Sequence, residues 1–123
     1  MHPLKSKILD YCLSLPHTEE TFPFDTRTWV AKVYHKMFAL MDILDDDVKI
    51  NLKCNPEKAE ELRAEFDYIL PGYHMSKKHW NTIYCDLQPL EWKFLKEQID
   101  HSYELVLNSI PKSKRSNNSS PCL

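Results

Sequence analysis

The densest group of chemically versatile side chains is one heptapeptide, His74-Met75-Ser76-Lys77-Lys78-His79-Trp80, with two lysines, two histidines and an indole. Ammonium groups supply point charge for a phosphate, backbone N–H groups at a turn capped by Ser76 can receive an oxyanion, and an aromatic ring can stack on a base. Arg63, on a predicted helix, and Lys53, at the end of a predicted strand, are the cations a fold could add. The mixture points to nucleic-acid backbone binding. Lys77, Lys78, Lys53 and Arg63 would meet phosphates, and His79 and Trp80 would support the loop that also carries His74. The competing account places Trp80 in the core, leaves the lysines solvated and uses the histidines to cap a turn.

Other chemistries find no constellation. Cys12, Cys54, Cys85 and Cys122 form no C-x-x-C pair and read as reduced thiols, three of them small hydrophobes in packed elements. His74 and His79 are not part of an H-E-x-x-H helix, and Asp45-Asp46-Asp47 lacks the alternating ligands and glycine of a calcium loop, so no metal is expected. Gly72 is the single glycine, which argues against phosphate-cradling loops and dinucleotide fingerprints, and no serine sits in a G-x-S-x-G elbow. The expectation is a non-enzyme without a cofactor.

The elements that must position these residues follow from periodicity. Leu4, Ile8, Tyr11, Cys12 and Leu15 mark an amphipathic helix stopped by Pro16. Residues 17–25 read as a connection with room for a short strand. Residues 28–34, 37–41 and 48–53 alternate with period two and read as sequential antiparallel strands joined at Tyr34-His35-Lys36 and near Asp45-Asp46-Asp47. Asn55-Pro56-Glu57 opens a helix to about Phe66. Residues 68–70, closed by Pro71-Gly72, and residues 80–85 supply two more strands. Pro89 opens the longest helix, ended by Pro111. The order α-β-β-β-α-β-β-α predicts a two-layer α+β fold, an antiparallel sheet of about five strands with helices on one face. Residues 1–111 form one domain and residues 112–123, rich in Lys, Ser and Asn, a disordered tail.

Length, 123 residues, suits one core, and 42% hydrophobic with 28% charged residues is ordinary globular usage. No apolar run approaches a membrane span and no secretory signal is visible, so a cytoplasmic protein is expected. A net charge of −2 means that nucleic acid must be met by a local patch. Lys32, Lys36, Lys49 and Lys53 could line the open sheet face, with Asp42 and residues 45–47 repelling phosphate at one end. Trp92 and Phe94 give the last helix more apolar width than one stripe needs, which would suit a protein partner or a homodimer.

Three strings carry a family resemblance over roughly residues 4–115: Lys36-Met37-Phe38-Ala39-Leu40; Asn51-Leu52-Lys53-Cys54 followed by Pro56-Glu57; and residues 71–82, beginning Pro71-Gly72-Tyr73-His74. With them the sequence resembles the MmcQ/YjbR family of small bacterial proteins. The resemblance implies a fold similar to type III secretion chaperones and frataxin homologues, and a DNA-binding role through a "double-wing" motif. The alternative is a protein-interaction adaptor that uses the open sheet face or the C-terminal helix. Family members often carry glycine just before the Lys-x-Phe-Ala string, where this chain has Tyr34-His35, so a differently shaped hairpin is expected here.

Overall fold

The computed structural model describes residues 2–72, 75–86 and 90–115. Helix α1 (Pro3–Ser14) starts with proline inside its first turn, and the His2 ring Nδ1 accepts the Leu4 N–H at 3.0 Å. Strands β1 (Thr18–Thr21), β2 (Thr28–Val33), β3 (Lys36–Asp42) and β4 (Lys49–Lys53) follow. In helix α2 (Pro56–Glu65) the Asn55 side chain accepts the N–H groups of Glu57 and Lys58, completing the cap that Asn-Pro-Glu announces. Strands β5 (Ile69–Pro71) and β6 (Trp80–Tyr84) precede helix α3 (Trp92–Ser109). The expected opening of that helix at Pro89 lies outside the described residues, as do Tyr73, His74 and residues 116–123. Within the expected tail, Lys112–Lys114 form a 3-10 turn, and Arg115 Nε donates to the Ile110 carbonyl at 3.0 Å.

The fold is α+β, with all strand pairs antiparallel in the order β1-β2-β3-β4-β6-β5. Six strands form where about five were expected. The addition is β1, Thr-Glu-Glu-Thr, an edge strand without an apolar face that β2 recruits by backbone pairing. Alternation assigns the faces. Trp29, Ala31, Val33, Met41, Ile50, Leu52 and Ile83 pack against Ile8, Leu62, Leu95, Ile99 and Val106 of the three helices. The opposite face has no helix; Val30, Leu40 and Trp80 form a small cluster there, flanked by Met37 and Met75.

One irregularity in β3 fixes how helices meet sheet. Ala31 pairs with Ala39 but Lys32 with Met37, so Phe38 is the extra residue of a bulge and both Phe38 and Ala39 turn into the core. Ser102 of α3 completes the hydrogen bonding there. Its fully buried hydroxyl donates to the Phe38 carbonyl at 2.6 Å and accepts the Lys53 N–H at 2.9 Å. At the next turn of chain the His101 ring Nε2 accepts the Asn55 N–H at 3.2 Å. Burial, then Lys58, lowers the His101 pKa, which suits a neutral acceptor.

The other helices dock by similar means. Lys5 of α1 is buried, and its ammonium donates to the carbonyls of Ile43 and Asp45 beyond β3. The Tyr11 hydroxyl bonds Asp100 of α3, and Trp92 packs edge-on against Tyr11 with ring centroids 5.8 Å apart. Phe94 packs against Phe66 at 5.1 Å. Trp92 and Phe94 therefore both have contacts within the fold. Gly72 is needed for close approach: a Cβ there would lie 2.7 Å from the Cβ of Trp80.

The β2–β3 turn holds Tyr34 and His35 at φ 47° and 70°, the left-handed region a two-residue type I′ hairpin requires. Glycine would sit there without strain; here Tyr34 is held by stacking on His17, itself at φ 64°, with ring centroids 4.6 Å apart.

Two substitutions test these points by urea denaturation. Ser102→Ala strands a buried carbonyl and N–H and should cost about 1–3 kcal/mol. His35→Gly should raise stability by about 0.5–1 kcal/mol, since a left-handed side chain is relieved and only an exposed contact to Glu19 is lost.

Candidate functional site

Strand direction sorts the charged residues of the helix-free face. At one end lie Lys32 and Lys53, which pairs with Trp80; Lys36, expected with them, pairs with the core residue Val33 and belongs to the opposite face at that end. At the other, Thr28 pairs with Asp42 and Lys49 with Tyr84, and the connection after β3 adds Asp45, Asp46 and Asp47. The basic end and the heptapeptide meet at one corner.

At that corner residues 77–79 make a turn in which the Ser76 carbonyl accepts the N–H groups of His79 and Trp80 at 3.2 and 3.0 Å. Ser76 thus closes the turn through its main chain. Arg63, half-buried on α2, donates from its guanidinium to the Lys77 carbonyl at 2.8 Å, and the His79 carbonyl accepts the Cys54 N–H at 2.8 Å. These bonds tie the turn to both α2 and the end of β4. Lys77, Lys78 and His79 are exposed and Lys53 is half-buried. Trp80 is only 8% exposed, too little to offer a ring face to a base, so it supports the loop from beneath. Five of the seven expected side chains, Lys53, Arg63, Lys77, Lys78 and His79, reach the surface of this corner at least in part; Trp80 underlies it, and His74 lies outside the described residues.

The acidic end is locked by ion pairs. Arg27 grips Asp42, with Nε 2.9 and 3.0 Å from the two carboxylate oxygens and a terminal nitrogen at 2.8 Å. Burial alone pushes the Asp42 carboxyl up, but the Arg27 bond and the Leu44 N–H outweigh it and hold the pKa below the ordinary value. Lys49 pairs with Asp45 at 3.1 Å and overlies the Tyr84 ring. Lys49, expected with the open-face lysines, is thereby committed to the acidic end.

Reaching from the acidic end towards the middle of the face lies a feature that sequence reasoning missed, a trough of about 560 Å³ whose lining includes Thr28, Asp42, Asp45 and Lys49. Leu40, Asn51, Thr82 and Tyr84 form its floor, Phe24 one wall, and Leu70, Pro71 and Met75 the other. Phe24 is 63% exposed and Leu70 45%. The outward parity of Leu40, Asn51, Thr82 and Tyr84 is implicit in strand alternation; the walls come from connections, where no period exists.

Among the described residues no group of three or more His, Cys, Asp or Glu side chains is placed to hold a metal, and no helix is long and apolar enough to cross a membrane. The thiols of Cys12, Cys54 and Cys85 are buried and unpaired. Burial pushes Cys12 up to about 12, with Asp100 adding to it, and Cys85 up to about 12, with Asp86 adding.

A family model described as YjbR matches residues 13–105. The uncharacterised protein YjbR of Escherichia coli (strain K12) is 32% identical over 112 residues, covering 89% of this chain and 92% of that protein. The uncharacterised protein YbdF of Escherichia coli O157:H7 is 35% identical over 100 residues, 81% of each chain. The crystal structure of Deinococcus radiodurans protein DR2400 superimposes with a TM-score of 0.82 at 41% identity, covering 90% of this chain and 84% of that one. A Pseudomonas syringae protein of known structure does so with a TM-score of 0.69 at 28% identity, covering 83% and 97%.

Because the folded state keeps its thiols protonated above their ordinary pKa of 9.0, the unfolded chain releases protons first on alkaline titration. Folding stability should therefore fall as pH rises from about 9 towards 12, measured by denaturation at stepped pH. At neutral pH, iodoacetamide should leave Cys12 and Cys85 unmodified until denaturant is added, read by mass spectrometry.

Proposed function

We propose, for a chain that belongs to the YjbR family, a binding rather than a catalytic role: it contacts the phosphate backbone of DNA through the corner where β4, α2 and the 77–79 turn converge. The observation that carries this reading is the gathering of Lys53, Arg63, Lys77 and Lys78 at that corner, away from the carboxylates at the opposite end of the strands. Lys77 and Lys78 project from a turn whose main chain is fixed on both sides, so little ordering is needed when an anion arrives. Arg63 acts twice, bracing the turn through the Lys77 carbonyl and adding charge.

The corner has charge but no accessible Phe, Tyr or Trp ring among its described residues, since Trp80 is covered; the exposed His79 imidazole is the one ring it offers. Backbone contact without base readout fits that inventory, with low sequence preference and strong salt dependence. The acidic end sets the orientation: Asp42 and residues 45–47 would repel phosphate, so the duplex meets the protein at one end of the sheet and does not lie along its face.

Fluorescence anisotropy against a random duplex at two salt concentrations tests the reading. Affinity should fall steeply with salt, and Lys77→Glu/Lys78→Glu should abolish binding while leaving the thermal melt in place. Removing two phosphate contacts by Lys77→Ala/Lys78→Ala should flatten the log–log salt slope by about 2. Absence of binding at low salt would sink the proposal.

A further inference from the structure

The helix-free face combines an exposed apolar trough with a charge gradient along the strands, and the two together define what can cover it. In the acidic half, the end of β3 and the connections place Asp25, Asp42, Asp45, Asp46 and Asp47 against Arg27, Lys49 and the buried Lys5, beside the apolar surfaces of Phe24, Leu70 and Tyr84. An occupant must therefore bring apolar side chains flanked by cations. The other half of the same face offers that set: Met37 and Met75, half-buried around Trp80, flanked by Lys53 and by Lys32 with Glu19 opposite it, and bordered by Lys77 and Lys78, so that cations outnumber the single carboxylate.

We propose that this face is a self-complementary interface on which a second copy of the chain docks about a two-fold axis, the basic half of each copy over the acidic half of the other. The geometry follows from symmetry. A two-fold axis lying between the faces and perpendicular to the strands reverses the strand direction of one copy, so a gradient along the strands meets its own opposite at both ends. The apolar side chains of both halves then leave water together, and Phe24 changes from the most exposed of the trough residues to a buried anchor. Neither outer edge of the sheet is used, so the interface is face to face. This inference does not rest on the phosphate-binding reading, although Lys53 can serve one contact at a time, which makes the two alternative states of one surface.

Sedimentation velocity across a concentration series, without nucleic acid, tests it. The wild-type chain should pass from monomer to dimer, with association weakening as salt is raised. Phe24→Asp lies on an exposed side chain and should weaken association by at least about tenfold without lowering the thermal melt. Lys32→Glu/Lys53→Glu, which cancels the positive charge of the basic half, should be monomeric by itself, and so should Asp42→Lys/Asp46→Lys, which cancels the negative charge of the acidic half. An equimolar mixture of these two variants should recover the dimer, because each now carries the charge the other needs. Circular dichroism checks that each variant is folded. A wild-type chain that stays monomeric throughout, or a dimer indifferent to Phe24→Asp and to both charge reversals, overturns the proposal.

Discussion

A hydroxyl with no exposed surface, that of Ser102, completes the hydrogen bonding of two strands at the point where the sheet is irregular. The bulge at Phe38 leaves a carbonyl on β3 and an N–H on β4 that a helix must satisfy, and α3 supplies one oxygen able both to donate and to accept. This fixes α3 over the centre of the sheet. His101, one residue earlier, then receives the Asn55 N–H, so the start of α2 is placed by the same helix turn. With the end of β4 and the beginning of α2 set, Lys53 and Arg63 have little freedom of position. The 77–79 turn is bonded to both. The basic corner is thus a consequence of how the core closes.

Antiparallel pairing does the rest of the sorting. A hairpin returns the chain to the end it left, so charges placed near strand ends collect at the same edge although they are distant in sequence. Lys32, Lys36, Lys53 and the 77–79 turn meet at one end of the sheet; Arg27, Asp42, residues 45–47 and Lys49 meet at the other. A chain with net charge −2 acquires in this way two surface regions of opposite sign. The buried Lys5 reinforces the acidic end from within, since its ammonium holds the Ile43 and Asp45 carbonyls that shape the connection after β3.

The relatives that show the family are uncharacterised proteins, so what the chain contacts must be argued from its own surface. Trp80 shows why a motif and its geometry need separate readings. In the heptapeptide it is a ring suited to stacking, but in the fold its exposure of 8% makes it the floor under an exposed turn. The exposed charge of the heptapeptide is at Lys77 and Lys78, whose side chains have the exposure that Trp80 lacks.

The sequence by itself determined the α+β class, the first helix up to its stop at Pro16, the proline-led helix start at Pro56, the three central strands and the opposition between the basic heptapeptide and Asp45-Asp46-Asp47. Each is a local signal: a period of two or 3.6, a cap, or a run of like residues. It could not determine β1, whose Thr-Glu-Glu-Thr has no apolar period and becomes a strand only because β2 offers unpaired backbone groups. Nor could it determine the bulge, which depends on the register between β2 and β3, or the task of Ser102, whose partners lie 64 and 49 residues away. The hairpin at Tyr34-His35 is legible as a short connection, but its left-handed turn lacks the glycine that would announce that shape, and stacking on a distant His17 holds it. The walls of the trough and the pairing of Lys49 with Asp45 belong to tertiary structure, because they join strand residues to connections whose side-chain direction no local pattern sets.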